Sequence, residues 1–196
     1  TTRTSEGNRQ PALIYRVDYS KGEYDGFGFS GLHGRIANYA NDRTSMANLL
    51  EADAYYIRGD WSLFGQVSYG EQDDAAIFNS DGQLRDARWW GLSGTAAYKV
   101  TPRLEGVFRA DYVSNETNGG GLFGFSFDDP INGIGRGVQS DGSFAKGEST
   151  GTNRYALALG MNYLYDENTI FKAEYRYDGA DQPVFEYVKT GTYRKY

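Results

Sequence analysis

From position 154 the chain alternates in steps of two. Tyr155, Leu157, Leu159, Met161, Tyr163 and Tyr165 fall on one parity, and Arg154, Ala156, Ala158, Gly160 and Asn162 on the other. An extended strand points successive side chains to opposite faces, so this segment has one greasy face and one small or polar face. The pattern recurs along the chain with Tyr or Trp near the ends of the apolar rows. That combination is the signature of a transmembrane β-barrel, with lipid outside, a polar lumen inside and aromatic girdles at both interfaces. Function is then to be sought in a pore rather than in a catalytic pocket.

Composition agrees with that reading without forcing it. The 196 residues include 26 Gly, 17 Tyr and 3 Trp, with no Cys and one His. The mean hydropathy is −0.64, and no apolar run approaches the ~20 residues of a spanning helix. A barrel wall needs only every second residue to be apolar, so it looks hydrophilic on average. A soluble β-sandwich or a secreted adhesin could share this composition. The formal charge of −6 argues against a nucleic-acid binder. Without Cys there is no disulfide framework, thiolate chemistry or thiolate metal site. The single His33 excludes any site that needs two imidazoles.

Eight strands are expected. Strand one covers about 12–19, with Leu13, Tyr15, Val17 and Tyr19 toward lipid and Arg16 and Asp18 inward. Strand two covers about 25–36, where glycines blur the faces. Strand three, about 49–57, sends Leu50, Ala52, Ala54 and Tyr56 outward and Glu51, Asp53 and Tyr55 inward. Strand four, 61–71, sends Trp61, Leu63, Val67 and Tyr69 outward and Gln66 and Ser68 inward. Strand five, 87–99, has Trp90, Leu92, Ala96 and Tyr98 outward. Strand six, 103–113, has Leu104, Phe108, Ala110 and Tyr112 outward and Glu105, Arg109 and Asp111 inward. Strand seven is the segment described first. Strand eight turns Phe171, Ala173, Tyr175 and Tyr177 out and Lys172, Glu174 and Arg176 in.

The connections alternate in length. Turns at 20–23, 58–60, 100–102 and 166–168 are short, whereas 38–48, 72–86 and 114–153 are long. Outer-membrane barrels sort their connections in this way, with short periplasmic turns and long extracellular loops. A soluble sandwich has no reason to do so, and this point decides for the barrel. The chain starts on a loop-like Thr1-Thr2-Arg3-Thr4-Ser5, and residues 189–196 do not alternate like a closing strand. The expectation is therefore an all-β, antiparallel up-and-down transmembrane barrel segment over 1–196. It would be one part of a larger barrel, with strands missing at one or both ends.

The run Asn168-Thr169-Ile170-Phe171-Lys172-Ala173-Glu174-Tyr175-Arg176-Tyr177-Asp178, with Val184-Phe185 and Gly191-Thr192-Tyr193 after it, carries a family resemblance. It resembles the C-terminal part of an uncharacterised proteobacterial outer-membrane, porin-like family, densest over the last third of the chain. The stretches Trp89-Trp90-Gly91-Leu92-Ser93-Gly94 and Gly106-Val107-Phe108-Arg109-Ala110-Asp111-Tyr112 have general porin character. The resemblance implies a barrel in the bacterial outer membrane, and a further loop and a final strand ending in Phe. It supplies no substrate.

Several motifs have bland readings that win. Gly26-Phe27-Gly28-Phe29-Ser30-Gly31 matches the dinucleotide fingerprint, but no helix follows it, and glycines that let a barrel bend or pack closely account for it. Arg58-Gly59-Asp60 reads as a turn rather than an adhesion tripeptide. Asn115-Glu116-Thr117 is a weak glycosylation match. Asp128-Asp129 lacks the ligand spacing of a calcium loop. Nothing around Ser30-Gly31-Leu32-His33 suggests a hydrolase triad. No enzyme, metal site or cofactor is expected.

The chemistry lies in the lumenal rows. Arg16, Arg88, Arg109, Arg154, Lys172 and Arg176 are expected to line the pore with Asp18, Glu51, Asp53, Glu105, Asp111 and Glu174. Fixed charges of both signs on a rigid wall orient water and screen solutes. Passive diffusion of small hydrophilic solutes or ions is the leading expectation. The alternative is a non-conducting barrel that displays its loops as a structural, adhesive or assembly component, since eight strands alone leave an interior just filled by side chains. Asp73, Asp74, Asp81, Asp128, Asp129 and Asp141 make the loop end acidic, so modest cation preference is expected. The 114–153 loop carries an apolar knot, Leu122, Phe123, Phe125 and Phe127, that would fold into the lumen as a constriction or pack on a partner. Outer-membrane lipid, and a second copy or another envelope protein, are the expected partners.

Overall fold

The computed structural model describes residues 11–38, 43–75, 84–115, 117, 151–187 and 189–196. Eight strands form one antiparallel sheet in chain order: β1 (Leu13–Lys21), β2 (Asp25–Asn38), β3 (Arg43–Arg58), β4 (Trp61–Gln72), β5 (Ala87–Thr101), β6 (Leu104–Ser114), β7 (Arg154–Asp166) and β8 (Thr169–Ala180). A small hairpin, β9 (Phe185–Tyr187) with β10 (Thr192–Arg194), follows. Every neighbouring pair is an up-and-down hairpin, and β1 and β8 are the two edges. Among the described residues no helix is long and apolar enough to cross a membrane.

Short and long connections do segregate. The short turns 22–24, 59–60, 102–103 and 167–168 make one end, and the strand ends that flank the connections 39–42, 73–86 and 115–153 lie at the other. Gly22 and Gly59 close two of the tight turns with φ of 70° and 58°, a left-handed conformation that favours glycine. The expected 38–48 loop is shorter than its polar composition suggests, because Arg43–Asn48 is the start of β3. The Gly26–Gly31 stretch lies wholly inside β2.

Directly paired residues on adjacent strands share a face, so register defines the rows. One row runs Phe29–Ala52–Val67–Leu92–Tyr112–Tyr155, and the next Phe27–Ala54–Gly65–Gly94–Ala110–Leu157–Tyr177. This apolar face is the exposed one: Leu159 is 61% exposed and Tyr175 70%. The partly sheltered face carries the charges. A soluble sheet does the reverse, so burial is inverted as a lipid-facing wall requires.

Aromatic residues bracket the band. Trp61 and Tyr69, Trp90 and Tyr98, and Tyr155 and Tyr163 each lie eight residues apart on their strands. Eight residues span about 27 Å of strand, roughly 20 Å of height at a tilt of about 40°. Cross-strand ring pairs knit both girdles: Trp61–Tyr98 at 4.7 Å, Trp90–Tyr112 at 5.1 Å and Tyr155–Tyr177 at 6.2 Å. Four aromatic rings lie over the glycine directly opposite: Tyr15 on Gly31, Tyr55 on Gly26, Trp89 on Gly70 and Tyr155 on Gly179. A Cβ at any of these glycines would collide with the ring, so the glycines are seats for side chains.

Above the upper girdle the two faces exchange character. On the outer face the next row is Leu13–His33–Asn48–Glu71–Arg88. On the inner face the corresponding rows hold Ile14, Leu32, Leu49 and Trp89, then Ala47 and Ala87. Trp89 is 1% exposed and packs with Ala75, Ala87 and Leu49 into a small apolar core. β2, β3 and β5 are 14, 16 and 15 residues long, more than the ~9–11 that a crossing needs. Their surplus stands clear of the lipid band and packs as a soluble sheet does.

Candidate functional site

Eleven of the twelve expected lumenal charges share one face: Arg16, Asp18, Glu51, Asp53, Glu105, Arg109, Asp111, Arg154, Lys172, Glu174 and Arg176. Arg88 does not. It shares the parity of Trp90 and Leu92, pairs opposite Glu71, and lies 3.7 Å from its carboxylate on the outer face. The physical reason is the exchange of faces above the girdle, where polar side chains point outward.

One row runs Asp18–Gly28–Asp53–Gln66–Ser93–Asp111–Ala156–Asp178 across all eight strands. Each of its aspartates has an arginine alongside. Arg16 Nε donates to Asp18 Oδ2 at 3.1 Å and its Nη2 lies 2.7 Å from Asp18 Oδ1. The same guanidinium reaches Asp53 on β3, with Nη1 2.9 Å from Oδ2, and stands 3.8 Å from Glu51. It crosses β2 directly above Gly28, where a Cβ would displace it. This is the chemical use of the glycine-rich stretch: a cation from one strand is laid over a second to hold a third.

On the other flank the pattern is local. Arg109 Nε donates to both oxygens of Asp111 at 3.0 and 2.8 Å, and Ser93 Oγ adds a 2.6 Å bond. Arg176 grips Asp178 through Nε and Nη2, the latter at 2.8 Å. Asn162 donates to Glu105 at 2.8 Å. Sequence reasoning missed Asp178 because the expected strand eight was read only as far as Tyr177. Its signal was present, since Arg16-Val17-Asp18, Arg109-Ala110-Asp111 and Arg176-Tyr177-Asp178 repeat one spacing.

Between β3, β4, β5 and β6 this face holds a cavity of about 420 Å³, lined by Arg16, Glu51, Asp53, Tyr55, Phe64, Gln66, Ser93, Thr95 and Arg109. Gln66 Nε2 donates to Glu51 at 2.8 Å. Phe64 is 49% exposed on this polar face, a position that the strand-four reading left unassigned.

The loop end has its own polar clasp. Asn38 Nδ2 donates to Ser45 Oγ at 3.1 Å and to the carbonyls of Asp73 and Asp74 at 3.3 and 2.9 Å. Gln72 donates to Ala37 O and Ser45 Oγ, both at 3.1 Å. Asp73 is held above the ordinary carboxylate range by partial burial and by the neighbouring Asp86, Asp74 and Glu71. It therefore takes up a proton at a higher pH than a free carboxylate does. Near β7 and β8, Asn153 accepts from Asn115 N and donates to Asp181 at 2.9 Å, while the Arg154 guanidinium lies 5.5 Å from the Phe185 ring centre. The apolar knot at 122, 123, 125 and 127, and Asp81, Asp128, Asp129 and Asp141, lie outside the described residues.

His33 belongs to the outer belt. Asn48 donates its amide to Glu71 at 3.1 Å, so its oxygen faces His33 Nδ1 at 2.9 Å, and Nε2 is left to accept from the Tyr15 hydroxyl at 3.2 Å. That places the imidazole in a structural relay. Among the described residues no three His, Cys, Asp or Glu side chains are grouped to hold a metal ion.

A family model described as "Putative beta-barrel porin-2, OmpL-like" matches residues 1–194. The match covers nearly the whole chain, well beyond the last third on which the sequence resemblance rests. No curated protein and no solved structure matches.

Proposed function

The chain belongs to the OmpL-like beta-barrel porin-2 family, and from that premise we propose that it forms a passive diffusion pore for small hydrophilic solutes or ions in the bacterial outer membrane. The carrying observation is the inverted burial of an eight-stranded sheet, with its apolar face outermost and a row of Arg–Asp pairs across the sheltered face. In lipid no backbone group can be left without a partner, and among the described residues β1 and β8 do not pair with each other, which supports the reading that further strands complete the barrel. The proposal extends to a proteobacterial source and to this chain as the C-terminal part of a longer barrel. It also includes a second copy or another envelope protein as partner. The runner-up, a non-conducting barrel that presents its loops, draws on the Trp89 core, which fills part of the inner face near the loop end.

Reconstitution of the full-length protein into planar bilayers is the test. Stepwise, ohmic conductance with modest cation preference is expected. With Arg88 on the outer face and Asp178 on the inner one, the inner-face charges named above lean anionic, and Asp73, Asp74 and Asp86 sit at the loop end. That preference should shrink as salt rises. It should also fall on acidification at a higher pH than ordinary carboxylates would give, because Asp73 is protonated early. Absence of conductance at every voltage would support the non-conducting reading, and strong anion selectivity would refute the charge argument.

Arg16 offers a sharper handle. Arg16→Gln leaves Asp18, Glu51 and Asp53 without their shared cation. Reversal potentials in a salt gradient should then show cation preference raised several-fold. An unchanged reversal potential would mean that these carboxylates do not face the conducting path.

A further inference from the structure

We infer that the cavity between β3 and β6 is a binding subsite for a neutral, polyhydroxylated solute, a saccharide, stacked on Phe64. This rests on the pore reading and names the class of solute that would linger there.

The first observation is Phe64 itself. It stands on the charged face, with Tyr55 opposite on β3 and Thr95 opposite on β5, and remains 49% exposed. A phenyl face left open beside water-exposed charges offers an apolar, π-rich platform. A sugar ring presents such a platform with a face of C–H groups and a rim of hydroxyls.

The second observation is the state of the charges around it. Arg16 is taken up by Asp18 and Asp53, Arg109 by Asp111, and Glu51 by Gln66. Arg16 stands within 4 Å of Asp18, Glu51 and Asp53, and Arg109 within 3 Å of Asp111, so each charge lining the cavity already has an opposite charge beside it and an ionic solute gains little. A neutral hydroxyl needs only spare donors and acceptors. Arg109 spends its Nε on Asp111, and its terminal amino groups make no hydrogen bond among the described residues. The Glu51 carboxylate has lone pairs to spare, and Thr95 adds a hydroxyl. About 420 Å³ lies within the roughly 300–1,000 Å³ of small-molecule sites.

The test is calorimetric titration of the full-length protein in detergent micelles with maltotriose, and with succinate and glycine as charged controls. Saturable maltotriose binding that is insensitive to salt is expected, with neither control binding. Phe64→Ala and Phe64→Leu should each weaken binding about tenfold, and Phe64→Trp should keep it. Phe64→Leu retains apolar volume without the ring face, so it separates stacking from a folding defect. Absence of saturable maltotriose binding, unchanged binding in Phe64→Leu, or tighter binding of succinate or glycine would each overturn the inference. Micelles need no conduction. Binding without channels would therefore sink the pore reading alone, and channels without binding would sink this subsite alone.

Discussion

Leu159→Arg will lower the stability of the barrel in phospholipid vesicles by about 2–4 kcal/mol, the cost of a cation at the midplane of a lipid-facing wall. Leu159 lies in the middle of β7 between Phe108 and Tyr175, and all three side chains are well exposed. Their exposure has no rationale in water and a direct one in hydrocarbon. Ser68→Arg is the control. Ser68 is on the opposite face beside Glu51, where a new cation meets a carboxylate. Equilibrium unfolding from vesicles by guanidinium should separate the two clearly. Equal losses for both variants would mean that the faces are assigned the wrong way round.

Trp89→Ala will cost about 3 kcal/mol, near the lower end for removing a buried tryptophan. The indole lies flat over Gly70 and is enclosed by Ala75, Ala87 and Leu49. Small neighbours cannot collapse far into the space it leaves. The adjacent Trp90→Ala is the informative comparison. Trp90 is 44% exposed in the girdle, so its loss opens no cavity. Unfolding of the two variants from the same micelles should rank Trp89→Ala well below Trp90→Ala. The opposite ranking would dissolve the apolar core at the loop end.

The lipid band was largely legible because it obeys a single rule. In β1 and β3 to β8 every second residue repeats a greasy or a polar choice, and the register agrees with that parity. β2 was illegible for a physical reason. Gly26, Gly28 and Gly31 give up their own side chains to seat Tyr55, Arg16 and Tyr15, so the contrast between faces is supplied by neighbouring strands. Arg88 and the first part of β3 misled for another. Both lie beyond the upper girdle, where the sign of the alternation reverses, and a rule learned in the band fails there. The β9–β10 hairpin has three residues per strand, fewer than two periods, and carries no readable pattern. The Arg16 bridge to Asp53 joins residues 37 apart, and no local spacing announces it.

The exchange of faces above the girdle works as a waterline. Tyr15, Leu50, Tyr69 and Trp90 lie just below it, and the relay from Tyr15 through His33 and Asn48 to Glu71 lies just above. Sinking the barrel by one row, two residues of strand, would push Glu71 and Arg88 into hydrocarbon. Raising it by one row would lift Trp90 and Tyr69 out of the interface. Neither displacement gains a compensating contact, so the protein has one depth at which it floats. Any partner or ligand that meets the loop end therefore meets it at a fixed height above the bilayer.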